Sequence, residues 1–278
     1  MSIGGKARLA GVVGWPVAQS LSPRLHAHWL HEYGIDGAYL PLPVRPENFS
    51  TVLRGLRLAG FKGVSVTVPH KQAAFALTDH LDAVAGKTGA VNQLVFHDDG
   101  SINGLNTDVA GLAASLAGVR VKGRCAVLLG AGGAARAAVL ALDQLGAREI
   151  RIMNRSRSRA DTLATMLAPV TKARLVPTEL EGRSKAAGDA ALVVNATSAG
   201  MRGTPSPDIS LEALPKDAVV CDIVYNPLET DLLRRAEARG LKTIDGLGML
   251  MHQAVPAFRA FFGVEPKVTP ELDRKSVV

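Results

Sequence analysis

The densest chemistry in this chain is a glycine turn, Gly130-Ala131-Gly132-Gly133-Ala134-Ala135, trailed by Asn154-Arg155-Ser156-Arg157-Ser158-Arg159. The turn fits G-x-G-x-x-G/A, with Ala135 in the third place. Gly130 permits a tight turn, and Gly132 lets the backbone approach a pyrophosphate whose charge sits at a helix N-terminus. An apolar strand pattern precedes the turn and an Ala-rich helical pattern follows it, which is the context such a motif requires. Domains that hold a free ribose 2′-hydroxyl carry an acidic residue about 20 positions past the glycines. Here that place is taken by arginines, whose planar guanidinium matches a phosphate bidentately. Gly130, Ala131, Gly132, Gly133, Ala134, Asn154, Arg155, Ser156 and Arg159 are therefore candidate cofactor residues, and NADP is expected over NAD. Arg155 and Arg159 are four apart and flank one phosphate if a helix starts at Ser156–Arg157; Arg157 is as readily a solvated side chain.

A second group of polar residues sits at strand-to-helix turns: Ser20-Leu21-Ser22-Pro23, Ser65-Val66-Thr67-Val68-Pro69-His70-Lys71, Val91-Asn92 and Asn106-Thr107-Asp108. Such turns collect at the carboxyl edge of a parallel sheet, where ligands bind. Hydroxyls, an amide, an amine and a carboxylate together suit a polyhydroxylated small molecule. Taken singly, each has a plain account: Ser22 as a helix cap, Thr67 as a strand residue, Asp108 as a cap, Lys71 as a solvated lysine. Their joint pattern makes the case for a site. His26, His28 and His31 do not form a metal set, because helical residues two apart point to nearly opposite sides; no metal is expected.

The elements that must carry these residues alternate between strand and helix, the mark of an α/β fold. Strands are expected at 9–13, 38–42, 64–68, 91–96 and 101–105, the last two joined by a hairpin at Asp98-Asp99-Gly100. Helices are expected from Ser22 to just before Gly34 and at 46–59. From Thr107 a new unit begins: a helix over 107–116, strands at 126–129, 149–153, 192–195, 219–224 and 242–244, a helix after the glycine turn and another at 230–239. This run of βα units reads as a Rossmann domain. A last helix is expected over 248–263, kinked by Pro256.

Bulk properties narrow the field. With 278 residues, two domains are the natural expectation. An apolar fraction of 47% and a charged fraction of 21% describe an ordinary folded protein. Net charge is +7, yet the basic residues are scattered and no aromatic-interleaved patch appears, so small anions are the expected partners and nucleic acid is not. No segment reaches the ~20 apolar residues of a membrane span, and no signal-peptide pattern is seen. Cys125 and Cys221 lie far apart in apolar runs and read as buried free thiols, so a cytoplasmic location is expected.

The motifs, in this order and spacing, resemble shikimate dehydrogenases over nearly the whole chain. The matching stretches are Gly14-Trp15-Pro16 with Ser20-x-Ser22-Pro23, Val66-Thr67-Val68-Pro69-His70-Lys71, Gly89-Ala90-Val91-Asn92, Asn106-Thr107-Asp108, the glycine turn, and Asn154-Arg155-Ser156. They continue through Asn195-Ala196-Thr197-Ser198-Ala199-Gly200 and Asp245-Gly246-Leu247-Gly248-Met249-Leu250 with Gln253. The resemblance implies reversible NADP-linked reduction of 3-dehydroshikimate to shikimate, in aromatic amino-acid biosynthesis. It implies that Ser20 and Ser22 bind the substrate carboxylate, with Thr67 nearby. Asn92, Asp108 and Gln253 would hold ring hydroxyls, Lys71 would sit at the reacting oxygen as the proton donor paired with Asp108, and Tyr225 would close the pocket. Asn195, Thr197 and Ser198 would lie along the cofactor, with Gly246 and Met249 near its nicotinamide. It also implies a discontinuous substrate domain, 1–106 with 246–278 returning to it, around a Rossmann domain at 107–245, in a monomer or homodimer.

Three positions depart from the family pattern. Ser65 replaces a substrate-contacting Asn, Gln93 a Thr, and Ser156 a Thr. Ser65 is shorter than Asn, so a broader quinate/shikimate enzyme remains an alternative, as does an NADP-binding sensor without turnover.

Overall fold

The computed structural model describes residues 3–178, 187–269 and Leu272. The chain forms two compact units, Met1–Thr107 with Leu250–Val278, and Asp108–Met249. The limits lie one residue past the expected first boundary and four past the second.

In the first unit, β1 (Arg8–Gly14), β2 (Gly37–Pro43), β3 (Gly63–Val66), β4 (His80–Leu81), β5 (Gln93–Phe96) and β6 (Ile102–Leu105) form one sheet in the order β2-β1-β3-β5-β6-β4. β1 runs parallel to β2 and β3, while β5 is antiparallel to β3 and β6. The β5–β6 hairpin turns where Asp98-Asp99-Gly100 requires it: Gly100 has φ +91, a value open to glycine. Helices α1 (Ser22–Glu32), α2 (Phe49–Leu58), α3 (Lys71–Ala76) and α4 (Ala83–Thr88) accompany the sheet. The expected 46–59 helix divides into a short 3-10 turn over Pro46–Asn48 and α2. β3 stops at Val66, before Pro69, which has no N–H for a ladder.

A core of Val13, Val64, Val66, Leu94 and Phe96 packs with Phe49 and Leu53 of α2. A separate aromatic cluster joins α1, β2 and the final helix. There His26 stacks on Tyr39 at 3.8 Å between ring centroids, and Trp29 meets the edge of Phe258 at 5.4 Å. His28 instead faces Glu32 at 3.6 Å, and His31 is exposed.

The second unit is a parallel sheet of β7 (Cys125–Leu129), β8 (Glu149–Met153), β9 (Arg174–Thr178), β10 (Ala190–Asn195), β11 (Val219–Asp222) and β12 (Lys242–Ile244). Its order, β12-β11-β10-β7-β8-β9, is the doubly wound Rossmann order. Helices α5 (Asp108–Ser115), α6 (Gly133–Gln144), α7 (Arg157–Leu167) and α8 (Asp231–Ala238) belong to it, and α9 (Leu247–Phe262) starts in it. α6 packs closely because its buried face is alanine: Ala135, Ala137, Ala138 and Ala141 are fully buried. The edge strand β9 escapes periodicity analysis because it is short and holds Pro177, which only an edge tolerates. β11 ends two residues before the expected 224, since the Asp222 side chain captures the Val224 N–H. α9 runs on as one helix through Pro256.

Candidate functional site

In the first unit, the carboxyl ends of β1, β3 and β6 and the amino end of β5 bring the polar turns together. Gly14 closes β1 without a side chain, and a Cβ there would overlap Thr67 Cγ2. The chain after β3 is held by Thr67 N–H donating to the Val13 carbonyl at 2.9 Å and Trp15 N–H to the Val68 carbonyl at 2.9 Å. Ser22 is the first residue of α1 rather than its cap; the cap position is Leu21, and the Ser20 hydroxyl accepts from Ser22 N–H at 3.3 Å. Among the described residues the hydroxyls of Ser22, Ser65 and Thr67 hydrogen-bond to no protein group, which leaves them open to a ligand.

Lys71 begins α3, half-buried, and its carbonyl accepts from Val91 N–H at 2.9 Å, which ties it to the Asn92 turn. The preceding His70 is structural. Its Nε2 lies 2.7 Å from the Val44 carbonyl and its ring stacks on Phe49 at 4.4 Å.

Asn92 is buried and clamped by Thr107. Thr107 N–H donates to Asn92 Oδ1 at 2.8 Å, and Asn92 Nδ2 donates to Thr107 Oγ1 at 2.9 Å. The Thr107 hydroxyl donates to the Gln253 carbonyl at 2.9 Å, and Asn92 Nδ2 also donates to Gln253 Oε1 at 3.4 Å. Thr107 thus fixes which face of the Asn92 amide is donor. The sequence marks it only as the middle of Asn106-Thr107-Asp108. Asn106 is likewise structural, its amide held by Thr88 and the Ala90 carbonyl.

Ser65 and Gln93, two of the three unusual positions, are cross-strand partners on β3 and β5. Gln93 Nε2 points to the Pro256 carbonyl at 3.5 Å, while its buried Oε1 has no hydrogen-bond partner among the described residues.

In the second unit, the glycine turn follows β7 and the 196–200 segment follows β10, the two strands that meet where the strand order reverses. Gly130 has φ +112, and a Cβ there would lie 2.9 Å from Thr197 Cγ2. Gly132 faces open space, so its missing side chain serves no packing need. Beyond it, the first-turn N–H groups of the 12-residue α6 lack intrahelical acceptors. An exposed helix start with a bare backbone fits a pyrophosphate.

Ser156 stands at the N-cap position of α7 without a side-chain capping bond, its hydroxyl 2.8 Å from that of Ser158; the helix starts at Arg157, and Asn154 Nδ2 holds the Ser156 carbonyl at 2.9 Å. Arg157 is engaged by Asp161 at 2.9 Å. Arg155 and Arg159 are exposed and pair with no carboxylate among the described residues. This donor set suits a 2′-phosphate.

Asn195 is fully buried, with its amide occupied by protein groups at the root of the 196–200 segment. Ser198 is exposed and Thr197 half-buried. Gly246 is required by packing, because a Cβ would overlap the backbone of Ile223 and Val224. Met249 is buried in α9, Tyr225 is half-buried after β11, and Asp108 is buried at the start of α5. Burial pushes the Cys125 thiol up to about 11 and Cys221 higher still, so neither is a nucleophile. Among the described residues no group of three His, Cys, Asp or Glu side chains could hold a metal ion, and no helix is long and apolar enough to cross a membrane.

Two family models match in succession: a shikimate dehydrogenase substrate-binding domain over residues 12–94 and a shikimate/quinate 5-dehydrogenase domain over residues 111–220. A protein of Paramagnetospirillum magneticum named shikimate dehydrogenase (NADP(+)) is 53% identical, covering 96% of this chain and 97% of its own. The chain belongs to the shikimate dehydrogenase family. Among solved structures, a shikimate 5-dehydrogenase from Thermus thermophilus in complex with NADP(H) and shikimate is 38% identical, with a TM-score of 0.81 over 94% of this chain and 95% of that one. A quinate dehydrogenase from Corynebacterium glutamicum in complex with NAD is 34% identical, with a TM-score of 0.85 over 94% of this chain and 95% of that one. Family membership thus spans both units, while these solved members differ in acid and cofactor.

Proposed function

We propose that this shikimate dehydrogenase family member catalyses the reversible reduction of 3-dehydroshikimate to shikimate with NADPH. The observation that supports it most is the near-full-length 53% identity to a protein named for that reaction. The guanidinium groups of Arg155 and Arg159, exposed and paired with no carboxylate among the described residues, stand where a carboxylate would favour NAD and support the phosphorylated cofactor.

NADP(H) would be held by Gly130, Ala131, Gly132, Gly133 and Ala134 at its pyrophosphate and by Asn154, Arg155, Ser156 and Arg159 at its 2′-phosphate. Asn195 shapes the Thr197–Ser198 segment along it, and Gly246 and Met249 border the nicotinamide. When bound, the cofactor supplies the hydride chemistry. Ser20 and Ser22 receive the substrate carboxylate. Ser65, Thr67, Asn92, Asp108, Tyr225 and Gln253 bind the ring. In reduction the Lys71 ammonium gives its proton to the carbonyl oxygen as that becomes a hydroxyl. In oxidation the neutral amine takes it back, a contribution of roughly 10²–10⁴-fold. The Asp108 carboxylate accepts a ring hydroxyl and keeps the reacting carbon in place. Incubating the protein with NADP⁺ and shikimate should yield NADPH and an acid lighter by two hydrogens. Neither product would sink the reading.

Ser65 favours a second reading. Its side chain is shorter than the carboxamide usual in the family, so quinate, with an added ring hydroxyl, would also be oxidised.

A further inference from the structure

We infer that Asp222 is a positioning residue for the cofactor-facing segment 196–200, acting through Asn195; this rests on the NADP reading above. Asp222 ends β11 directly beside Asn195 at the end of β10, and both are fully buried. Its carboxylate is surrounded by neutral donors. Oδ1 accepts from Asn195 Nδ2 at 2.9 Å and from Val224 N–H at 3.0 Å, and Oδ2 accepts from the Thr230 hydroxyl at 2.8 Å. It makes no ion pair among the described residues. A buried anion without a counter-ion is costly, and burial accordingly raises its pKa against the pull of these hydrogen bonds. Such a charge weakens the fold unless it organises something.

What it organises is the orientation of the Asn195 amide. An ionised carboxylate accepts only, so it selects the Nδ2 end of Asn195 and turns Oδ1 the other way. Oδ1 then accepts from Thr197 N–H at 3.1 Å and from the Thr197 hydroxyl at 2.7 Å, while Nδ2 also donates to the Ala199 carbonyl at 3.0 Å. The Thr197 hydroxyl oxygen in turn accepts from Ala199 N–H at 3.0 Å. One charge thereby fixes the backbone from 197 to 199. It also sets Thr197 Cγ2 against the glycine turn, at the spot that Gly130 leaves free of a side chain. A flipped Asn195 amide would set its oxygen against the Asp222 carboxylate and the Ala199 carbonyl, both acceptors, and its NH₂ against the Thr197 N–H, a donor.

The test is a fluorescence titration of NADPH into wild type and Asp222→Asn, with amide hydrogen exchange at Thr197 and Ala199 measured without cofactor. Asp222→Asn keeps the shape and removes the charge. It should raise the NADPH Kd about tenfold and speed exchange at both amides, with shikimate binding unchanged. A purely structural role would lower the melting temperature and leave Kd and exchange as they are, and that result overturns the inference. If Asp222→Asn fails to fold, Asn195→Ser cuts the same link. It should show the same rise in Kd, and an unchanged Kd would overturn the proposal equally. Wild type that fails to bind NADPH at all would reject the cofactor reading, and this proposal with it.

Discussion

Replacing Thr107 with valine removes one hydroxyl and almost no volume, and the consequence can be worked from the structure. That hydroxyl accepts from Asn92 Nδ2 at 2.9 Å and donates to the Gln253 carbonyl at 2.9 Å. Each bond contributes about 1 kcal/mol net, and a buried group left unpaired costs about 1–3 kcal/mol. Two relaxations soften this. Asn92 Nδ2 keeps Gln253 Oε1 within 3.4 Å, and Thr107 N–H still holds Asn92 Oδ1 at 2.8 Å. The expected loss is therefore about 2 kcal/mol, near the lower end. It divides between stability and the preorganisation of two amides proposed to hold ring hydroxyls. If about 1.4 kcal/mol falls on binding, the shikimate KM rises about tenfold. The kcat should stay within about threefold, and the NADPH KM should not move. Steady-state kinetics with each substrate varied in turn, beside urea unfolding, reads all these quantities. Thr107→Ser keeps the hydroxyl and should restore the wild-type KM. A valine variant that folds with wild-type shikimate KM would refute the clamp.

Arg155→Asp should raise the NADPH KM by about 10–100-fold, on the scale of a lost charge-assisted contact, and spare NADH; equal losses with both cofactors would refute the phosphate assignment. Lys71→Ala should cut kcat by at least about 10²-fold with a much smaller change in shikimate Kd; an unchanged kcat would remove lysine from proton transfer. Burial lowers the His26 pKa from 6.5 to about 3, so folding favours its neutral form. Its contribution is complete above about pH 6.5 and is lost as pH falls toward 3, about 2 kcal/mol by pH 5. Urea unfolding at pH 7 and pH 5 should show this, and His26→Leu should lose less stability over that interval than wild type; an equal loss would contradict it.

The motif residues were the most legible part of the chain, because chemistry with strict geometric demands leaves local patterns. The glycine turn, β8 and the start of α7 all follow from residues within about thirty positions of one another. Arg157 shows the limit of that reading. Its Asp161 partner, four residues on, is visible in sequence, but the pairing is decided only when both sit on one helix face. Thr107 and Asp222 stayed hidden for another reason. Each acts through residues at a distance in sequence, Asn92 and Gln253 for one and Asn195 for the other. Strand pairing sets Asn195 beside Asp222, and the returning last helix brings Gln253 to Thr107; a one-dimensional pattern contains neither. The same holds for Ser65 and Gln93, which are separate oddities in sequence and one cross-strand pair in the fold. β4 and β9 were missed because short edge strands carry too little alternation to read.

This protein should oxidise shikimate with NADP⁺ in preference to NAD⁺. The most direct measurement is kcat/KM for purified protein with shikimate or quinate, each paired with NADP⁺ or NAD⁺. Shikimate with NADP⁺ should exceed shikimate with NAD⁺ by at least about tenfold, the effect of one lost charge-assisted contact. Turnover of neither acid, or a preference for NAD⁺, would contradict that assignment.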